Sequence, residues 1–186
     1  LLDMGVHAID TTRYLLGDPK PESVYARISS EHGLDPLDDT GVLVITWQNG
    51  VVSTIEFGWW QPRVEGAEAA TRIYGTSGYA SLFPTFWESI DLEAPRGEDG
   101  AYPDPVLHEP NVPPRREHCD QRIFTAQLGA FADALRTHIR AVSLVNGDGD
   151  YWASATPSDT PWEPGMMVMR IVDAAYRSAE SGQSVV

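Results

Sequence analysis

The stretch Gly41-Val-Leu-Val-Ile-Thr-Trp47-Gln48-Asn49-Gly50-Val51-Val52-Ser-Thr-Ile-Glu-Phe57-Gly-Trp59-Trp60 decides how this chain folds. Two runs rich in β-branched and aromatic residues, 41–47 and 51–60, flank Gln48-Asn49-Gly50. Asn-Gly adopts the positive φ angles of a tight hairpin at little cost, so the two runs read as antiparallel neighbours, not as parallel strands joined through a helix.

The same pattern continues outward. Thr71–Tyr74 and Tyr79–Phe83 flank Gly75-Thr76-Ser77-Gly78, a second hairpin, and Trp87–Leu92 adds a further strand. Ser23–Ser30 is a short strand upstream. Helices bracket the strands. Residues 4–16 place Gly5, Ala8, Ile9, Thr12, Leu15 and Leu16 at helical spacing, with Gly17 and Pro19 as stop signals. Gln121–Arg140 carries Phe124, Leu128, Phe131, Leu135 and Ile139 on one stripe. In Gly165–Ser181, residues Val168, Ile171, Val172, Ala175, Tyr176 and Ala179 face inward, and Gly182 ends the helix. The stretches 93–117 and 141–164 read as loops. Consecutive hairpins predict an α+β domain over residues 1–186, with a large, mostly antiparallel sheet and helices on one face.

Composition narrows the function. At 186 residues and 42% hydrophobic content the chain can bury a core, and the formal charge of −14 disfavours nucleic acid and anionic membranes as partners. No run approaches the roughly 18 apolar residues of a membrane span. Cys119 is the sole cysteine, so no intrachain disulfide forms, which fits a reducing, cytoplasmic setting. The chain opens Leu1-Leu2-Asp3 without a start methionine and runs straight into a helix, which leads us to expect a longer protein with an upstream part. No G-x-G-x-x-G follows a strand, so no cofactor-binding residue is assigned, and this chain alone is expected not to bind NAD or NADP. There is no Walker A loop, no G-x-S-x-G elbow and no H-E-x-x-H; no metal ligand set is assigned either.

The first helix carries the sharpest chemical signal, Asp3-Met-Gly-Val-His7-Ala-Ile-Asp10. At about 100° per residue, Asp3, His7 and Asp10 fall within roughly 60° of one another, Tyr14 shares the stripe, and the apolar residues centre on the opposite side. From spacing alone the commoner reading is a solvated face with charged neighbours at i,i+3 and i,i+4. The chemical reading is an imidazole beside carboxylates that favour its protonated form, a general base for a hydroxyl proton. Trp59-Trp60 offers Trp60 as a platform for a sugar ring, against the commoner reading of Trp as core or interface. His32, His108 and His118 fall in loops and read as solvated, and His138 lies on a helix rim. Val52, Thr54 and Trp60 alternate with Ile55, Phe57 and Trp59, so apolar residues lie on both faces; we expect a homo-oligomer, a dimer or tetramer, through the open sheet face.

Five landmarks in order resemble one family. They are the opening Asp3-x-Gly5-x-His7-x-x-Asp10 with Tyr14-Leu15-Leu16-Gly17, then Asp38-Asp39-Thr40 leading to Trp47-Gln48-Asn49-Gly50, and Ile73-Tyr74-Gly75-Thr76-Ser77-Gly78. Phe131-Ala132-Asp133-Ala134-Leu135 and Ala174-Ala175-Tyr176-Arg177-Ser178-Ala179-x-Ser181-Gly182 follow. Together they resemble the C-terminal domain of the glucose–fructose oxidoreductase, inositol dehydrogenase and MocA-like (Gfo/Idh/MocA) group. The resemblance implies a fold like the C-terminal domain of glyceraldehyde-3-phosphate dehydrogenase, and an upstream Rossmann domain that binds NAD or NADP. It implies oxidation of a sugar, polyol or cyclitol hydroxyl, with His7 as the catalytic histidine, Asp10 as the carboxylate paired with it and Asp3 contacting substrate hydroxyls; Tyr14, from the stripe, and Trp60, from its stacking surface, complete the expected substrate contacts. Members that use the cofactor transiently in lyase or glycosidase reactions, and members that only interact, are its alternatives. Two departures stand out. The family's Glu-Lys-Pro lysine has no counterpart here, since Lys20 is the sole lysine and lies in a Gly-Asp-Pro-Lys-Pro turn; and the loop 141–164 is longer than usual.

Overall fold

A computed structural model describes residues 1–31, 37–58, 71–82, 84–111, 121–146 and 163–186. It runs α1 (Gly5–Leu15), β1 (Pro21–Ser29), β2 (Thr40–Trp47), β3 (Val52–Gly58), β4 (Arg72–Gly75), β5 (Gly78–Ser81), β6 (Phe86–Ser89), β7 (Val106–His108), α2 (Gln121–Asn146) and α3 (Glu163–Ser181). The described strands form two antiparallel sheets, β1-β2-β3 and β4-β5-β6-β7, where one large sheet was expected. Each sheet is a succession of local pairings. The stretch 59–71 between β3 and β4 carries no Asn-Gly-type turn that would set those two strands in register. The chain divides into two compact units, one of Leu1–Val64 with Arg140–Val186 and one of Glu65–Ile139.

The first unit is organised by the Asn49-Gly50 hairpin. Gly50 takes φ +82°, and Trp47 and Val51 close the turn through the Trp47 N–H to the Val51 carbonyl at 2.9 Å. The register then pairs Leu43 with both Ala26 and Ile55, so alternate residues of all three strands reach one face. On that face Val24, Ala26, Leu43, Ile45, Trp47, Ile55 and Phe57 are buried, joined by Ile9 of α1 and by Val168, Ile171, Val172 and Ala175 of α3. Helix α3 packs on β1, and α1 packs on β3 and α3. The one polar atom of Trp47 is satisfied within the hairpin, its indole N–H donating to Ser53 Oγ at 2.8 Å. Ser178, fully buried in α3, accepts from the Ala26 N–H at 3.0 Å and donates to the Gln183 carbonyl at 2.6 Å, tying the helix to the sheet edge.

In the second unit, the Gly75–Gly78 turn behaves as expected, with Gly75 opposite Gly78 and Tyr74 opposite Tyr79. Tyr79 contacts Tyr74 and Phe86 at ring-centroid distances of 5.2 and 5.6 Å. The stretch 93–117, expected as loop throughout, contains β7, a strand of three residues that follows Pro103 and Pro105. It is too short to show an alternating pattern and is held by pairing with β6 and by Trp87 stacked on His108 at 5.0 Å. Two helices also outrun their expected bounds into 141–164. Helix α2 continues to Asn146 through Ala141-Val-Ser-Leu-Val, which keeps the helical apolar spacing, and α3 starts at Glu163 with Pro164 in its first turn, where a missing N–H costs nothing. The apolar stripe of α2 is exposed at Phe124, Leu128, Phe131 and Leu135.

Candidate functional site

Helix α1 presents the polar stripe because its other side is fixed. Gly5, Ile9 and Arg13 are buried. A side chain on Gly5 would displace the terminal methyl of Leu1 and come within 3.6 Å of the Phe57 ring, so glycine lets the helix seat closely without moving Leu1. The C-terminal end closes as a Schellman motif: the Asp18 N–H reaches the Arg13 carbonyl at 2.8 Å, the Gly17 N–H reaches that of Tyr14 at 3.2 Å, and Gly17 has φ +79°. Asp18 also has φ +56°, which asparagine and aspartate tolerate better than other side chains do.

Asp3, His7, Asp10 and Tyr14 are all exposed, Tyr14 at 78%. His7, Asp10 and Tyr14 share one face of α1, as their spacing requires, whereas Asp3, expected on the same helix, lies in the turn before it; among the described residues no hydrogen bond or ion pair links His7 to either carboxylate. Asp3 lines a cleft of about 190 Å3 with Met4, Leu37, Asp38 and Phe57. A wider groove of about 520 Å3 runs between β1 and α3, past Lys20, Gln48, Met166, Arg170 and Arg177; it holds none of the stripe residues. Trp60 lies outside the described residues, as do Trp59, His32, His118 and Cys119. No three described His, Cys, Asp or Glu residues are grouped to hold a metal ion, and no described helix is long and apolar enough to cross a membrane.

Two polar features escaped the sequence reading. Arg13 was hidden by its position on the flank of the apolar face. It is 5% exposed, donates from Nη1 to the Pro164 carbonyl at 3.0 Å, and pairs through Nη2 with Asp18 at 3.4 Å, leaving Nε without a partner among the described residues. The second is Asp38. Its Oδ1 accepts from the Tyr176 hydroxyl at 2.7 Å, and its Oδ2 accepts from the Leu1 nitrogen. Burial pushes the Asp38 carboxyl up, but these two donors, together with the positive charge of the Leu1 amino group, outweigh it and hold the group below the ordinary carboxylate range. Burial and the neighbouring carboxylate together drive the Tyr176 phenol well above its usual value. No pattern of spacing joins residues 1, 38 and 176. Asp38 did belong to a landmark, but as part of a resemblance and without a role.

A dinucleotide does not fit the described residues. Every described strand pair is antiparallel, and no strand leads through a glycine-rich turn into a crossover helix whose N-terminus could meet a pyrophosphate.

Residues 1–81 match the family described as GFO/IDH/MocA C-terminal domain. No curated protein matches the chain. Among solved structures the chain is similar to an oxidoreductase from Sinorhizobium meliloti, with 20% identity and a TM-score of 0.57, covering 99% of this chain and 51% of that one. It is similar to an oxidoreductase from Agrobacterium radiobacter in complex with NAD+, L-tartaric acid and magnesium, with 21% identity and a TM-score of 0.54, covering 98% and 47%. A third is the aldose-aldose oxidoreductase from Caulobacter crescentus complexed with glycerol, at 18% identity and a TM-score of 0.54, covering 97% and 45%. The chain thus spans about half the length of the structures it matches. These likenesses show a shared fold, and the part of the chain that resembles the GFO/IDH/MocA C-terminal domain is residues 1–81, with the stripe-bearing helix at their start.

Proposed function

We propose that this chain is the substrate-binding half of an NAD(P)-dependent oxidoreductase acting on a hydroxyl of a sugar, polyol or cyclitol. The observation that carries this reading is the start of the chain: His7 and Asp10 exposed on α1, whose opposite side is locked into a core, with Asp3 exposed in the turn that leads into it. An exposed imidazole one turn from each of two carboxylates can take a hydroxyl proton, with Asp10 favouring the imidazolium that forms and Asp3 accepting hydrogen bonds from neighbouring hydroxyls. Tyr14 extends the same surface. Hydride acceptance is supplied from outside this chain, by NAD or NADP on another domain. The ligands of similar structures, glycerol and L-tartaric acid, are themselves polyhydroxy compounds, which supports the substrate class. The open face of β1-β2-β3 carries exposed Tyr25 and Val52 beside exposed Arg27 and Glu56, and we assign it to self-association as a dimer or tetramer.

The test is steady-state kinetics on the full-length protein. His7→Ala should lower kcat by about 10²–10⁴-fold, the usual contribution of a general base, while the melting temperature holds because His7 is exposed. Asp10→Asn should act in the same direction but less, and Asp3→Ala should raise KM. Net accumulation of reduced cofactor separates a dehydrogenase from transient redox chemistry. A folded, fully active His7→Ala protein defeats the assignment.

A further inference from the structure

Helix α2 carries four large apolar side chains in water. Phe124, Leu128, Phe131 and Leu135 are 46–68% exposed. Their spacing is four, three and four residues, the a/d repeat of a heptad, with Leu128 and Leu135 at a and Phe124 and Phe131 at d. The flanks decide what such a stripe fits. A helix that covers a sheet or a globular core widens its apolar face to the e or g positions. Here those positions hold Thr125, Gln127, Ala132 and Ala134, none of them large and apolar. At about 100° per residue, Arg122, Asp133 and Arg136 fall on the far side, where Asp133 and Arg136 pair at 2.9 Å. The stripe is therefore narrow and uncharged along its borders, the shape of a seam between two helices.

We infer that α2 pairs with the α2 of a second copy of this chain, antiparallel, about a two-fold axis between Gly129 and Ala130. Among the described helices, α1 and α3 bury their apolar sides in the core, so α2 is the one with an open seam to offer. The seam is complementary to its own reverse. Turning one helix end for end sets each a position against a d position, so Leu128 meets Phe131 of the second copy and Leu135 meets its Phe124, and the contacts repeat under the two-fold. Every layer then holds one Leu and one Phe. A parallel pair would alternate Leu–Leu with Phe–Phe layers, which ask for different separations of the helices along one short seam. Charge supports the same contact. A formal charge of −14 on each copy opposes their encounter, and the uncharged borders of the seam keep that repulsion away from it. An aromatic side chain presents about 150–250 Å2. Two such stripes with their small flanking residues remove on the order of 1,000 Å2 from water, the least that a specific interface needs, which makes the pairing one of modest affinity. It is a contact additional to the one assigned to the open face of β1-β2-β3.

Sedimentation velocity of the full-length protein over a micromolar concentration series is the test, with Leu128→Lys, Phe131→Glu and Val52→Glu as variants. Leu128→Lys and Phe131→Glu each place a charge in the seam and should weaken one association step by about tenfold or more. Below that step their melting temperatures should match the wild type, because both side chains are exposed in the single chain. An equimolar mixture of the two variants should recover part of the association, since each introduced lysine then faces an introduced glutamate of the other variant. Val52→Glu, on the open face of β1-β2-β3, should leave this step in place. Unchanged sedimentation in both α2 variants overturns the pairing, and so does a step that is lost in Val52→Glu alone, which belongs to the sheet face. A melting temperature that falls in either α2 variant below the step also overturns it, because the chain then covers the stripe itself. A mixture that recovers nothing overturns it as well, since the antiparallel register sets position 128 against position 131.

Discussion

The two compact units of this chain are built on opposite terms. In Leu1–Val64 with Arg140–Val186, three strands and two helices share one set of buried side chains, from Ile9 through Leu43 and Trp47 to Ala175. In Glu65–Ile139, Ser81 is the one described residue that is buried; Tyr74, Trp87, Val106, Leu107 and the α2 stripe are exposed. The first unit is therefore stabilised by area removed from water, the second by hairpin hydrogen bonds and ring contacts along its ladder. The difference bears on where chemistry can sit. A catalytic group needs a scaffold that keeps its place, and α1 is mounted on the unit with the core.

The largest break in that comparison should come from truncating the shared core. Leu43→Ala empties a fully buried site at the centre of β2, where the neighbours on β1 and β3 are themselves fixed by register, and should cost about 2–5 kcal/mol. Leu107→Ala in β7 removes a side chain that is 52% exposed and should stay within about 0.5 kcal/mol. Urea unfolding of the two variants measures both. Equal losses would mean that the second unit buries Leu107 in solution.

Two glycines sharpen the contrast by adding atoms. At Gly41 a methyl group would overlap the Phe57 ring and lie 2.9 Å from the Arg27 carbonyl; at Gly78 it would overlap the Glu88 carbonyl. Backbone obstacles cannot rotate away, so each alanine should cost about 1–3 kcal/mol. The readouts should differ. Gly41→Ala should lower the global unfolding midpoint, because its obstacle belongs to the common core. Gly78→Ala should speed amide exchange along β4–β6 and leave β1–β3 protected, as expected of a ladder that opens locally. Loss of protection in both sheets together in Gly78→Ala would show that the units unfold as one.

The same division explains what could be read from residues alone. Where structure follows local rules, it was legible. The Asn49-Gly50 hairpin, the Gly17 and Gly182 helix ends and the inward row of α3 all appear where turn chemistry and periodicity place them. The polar stripe of α1 was legible for the same reason, since 100° per residue fixes which side chains share a face. What escaped depends on long-range contact. A strand as short as Val106–His108 has no periodicity to detect, and it exists through pairing with β6. The stripe of α2 obeys helical spacing yet is exposed, because amphipathicity specifies a face and not what covers it. Arg13 and Asp38 are polar residues whose partners lie 151 and 138 positions away in α3, beyond any pattern of spacing.

A smaller loss than those of the core and glycine variants concerns the bond that ties Asp38 to α3, and its pH dependence shows whether the first unit relies on that bond as well as on its core. Tyr176 gains its high pKa from partial burial and from the Asp38 carboxylate that accepts its proton. A group whose pKa is raised on folding contributes stability while protonated in both states, and loses it as pH climbs from the unfolded value toward the folded one. The unfolded phenol titrates near about 10, so the contribution should be intact at neutral pH and decline above that point. Asp38 works in reverse. Its pKa is lowered on folding, so its contribution holds above the ordinary carboxylate value and fades as pH falls through the folded one. Tyr176→Phe should therefore destabilise by about 1 kcal/mol at neutral pH, modest because the pair is only partly buried. The gap between the two proteins should close in alkali as the wild-type phenol ionises, and in acid as Asp38 is protonated. Denaturant midpoints across that range give the curve. A gap that stays constant from acid to alkali would mean that the Tyr176 ring packs against the core without its hydroxyl contributing, and that the core alone holds the helix in place.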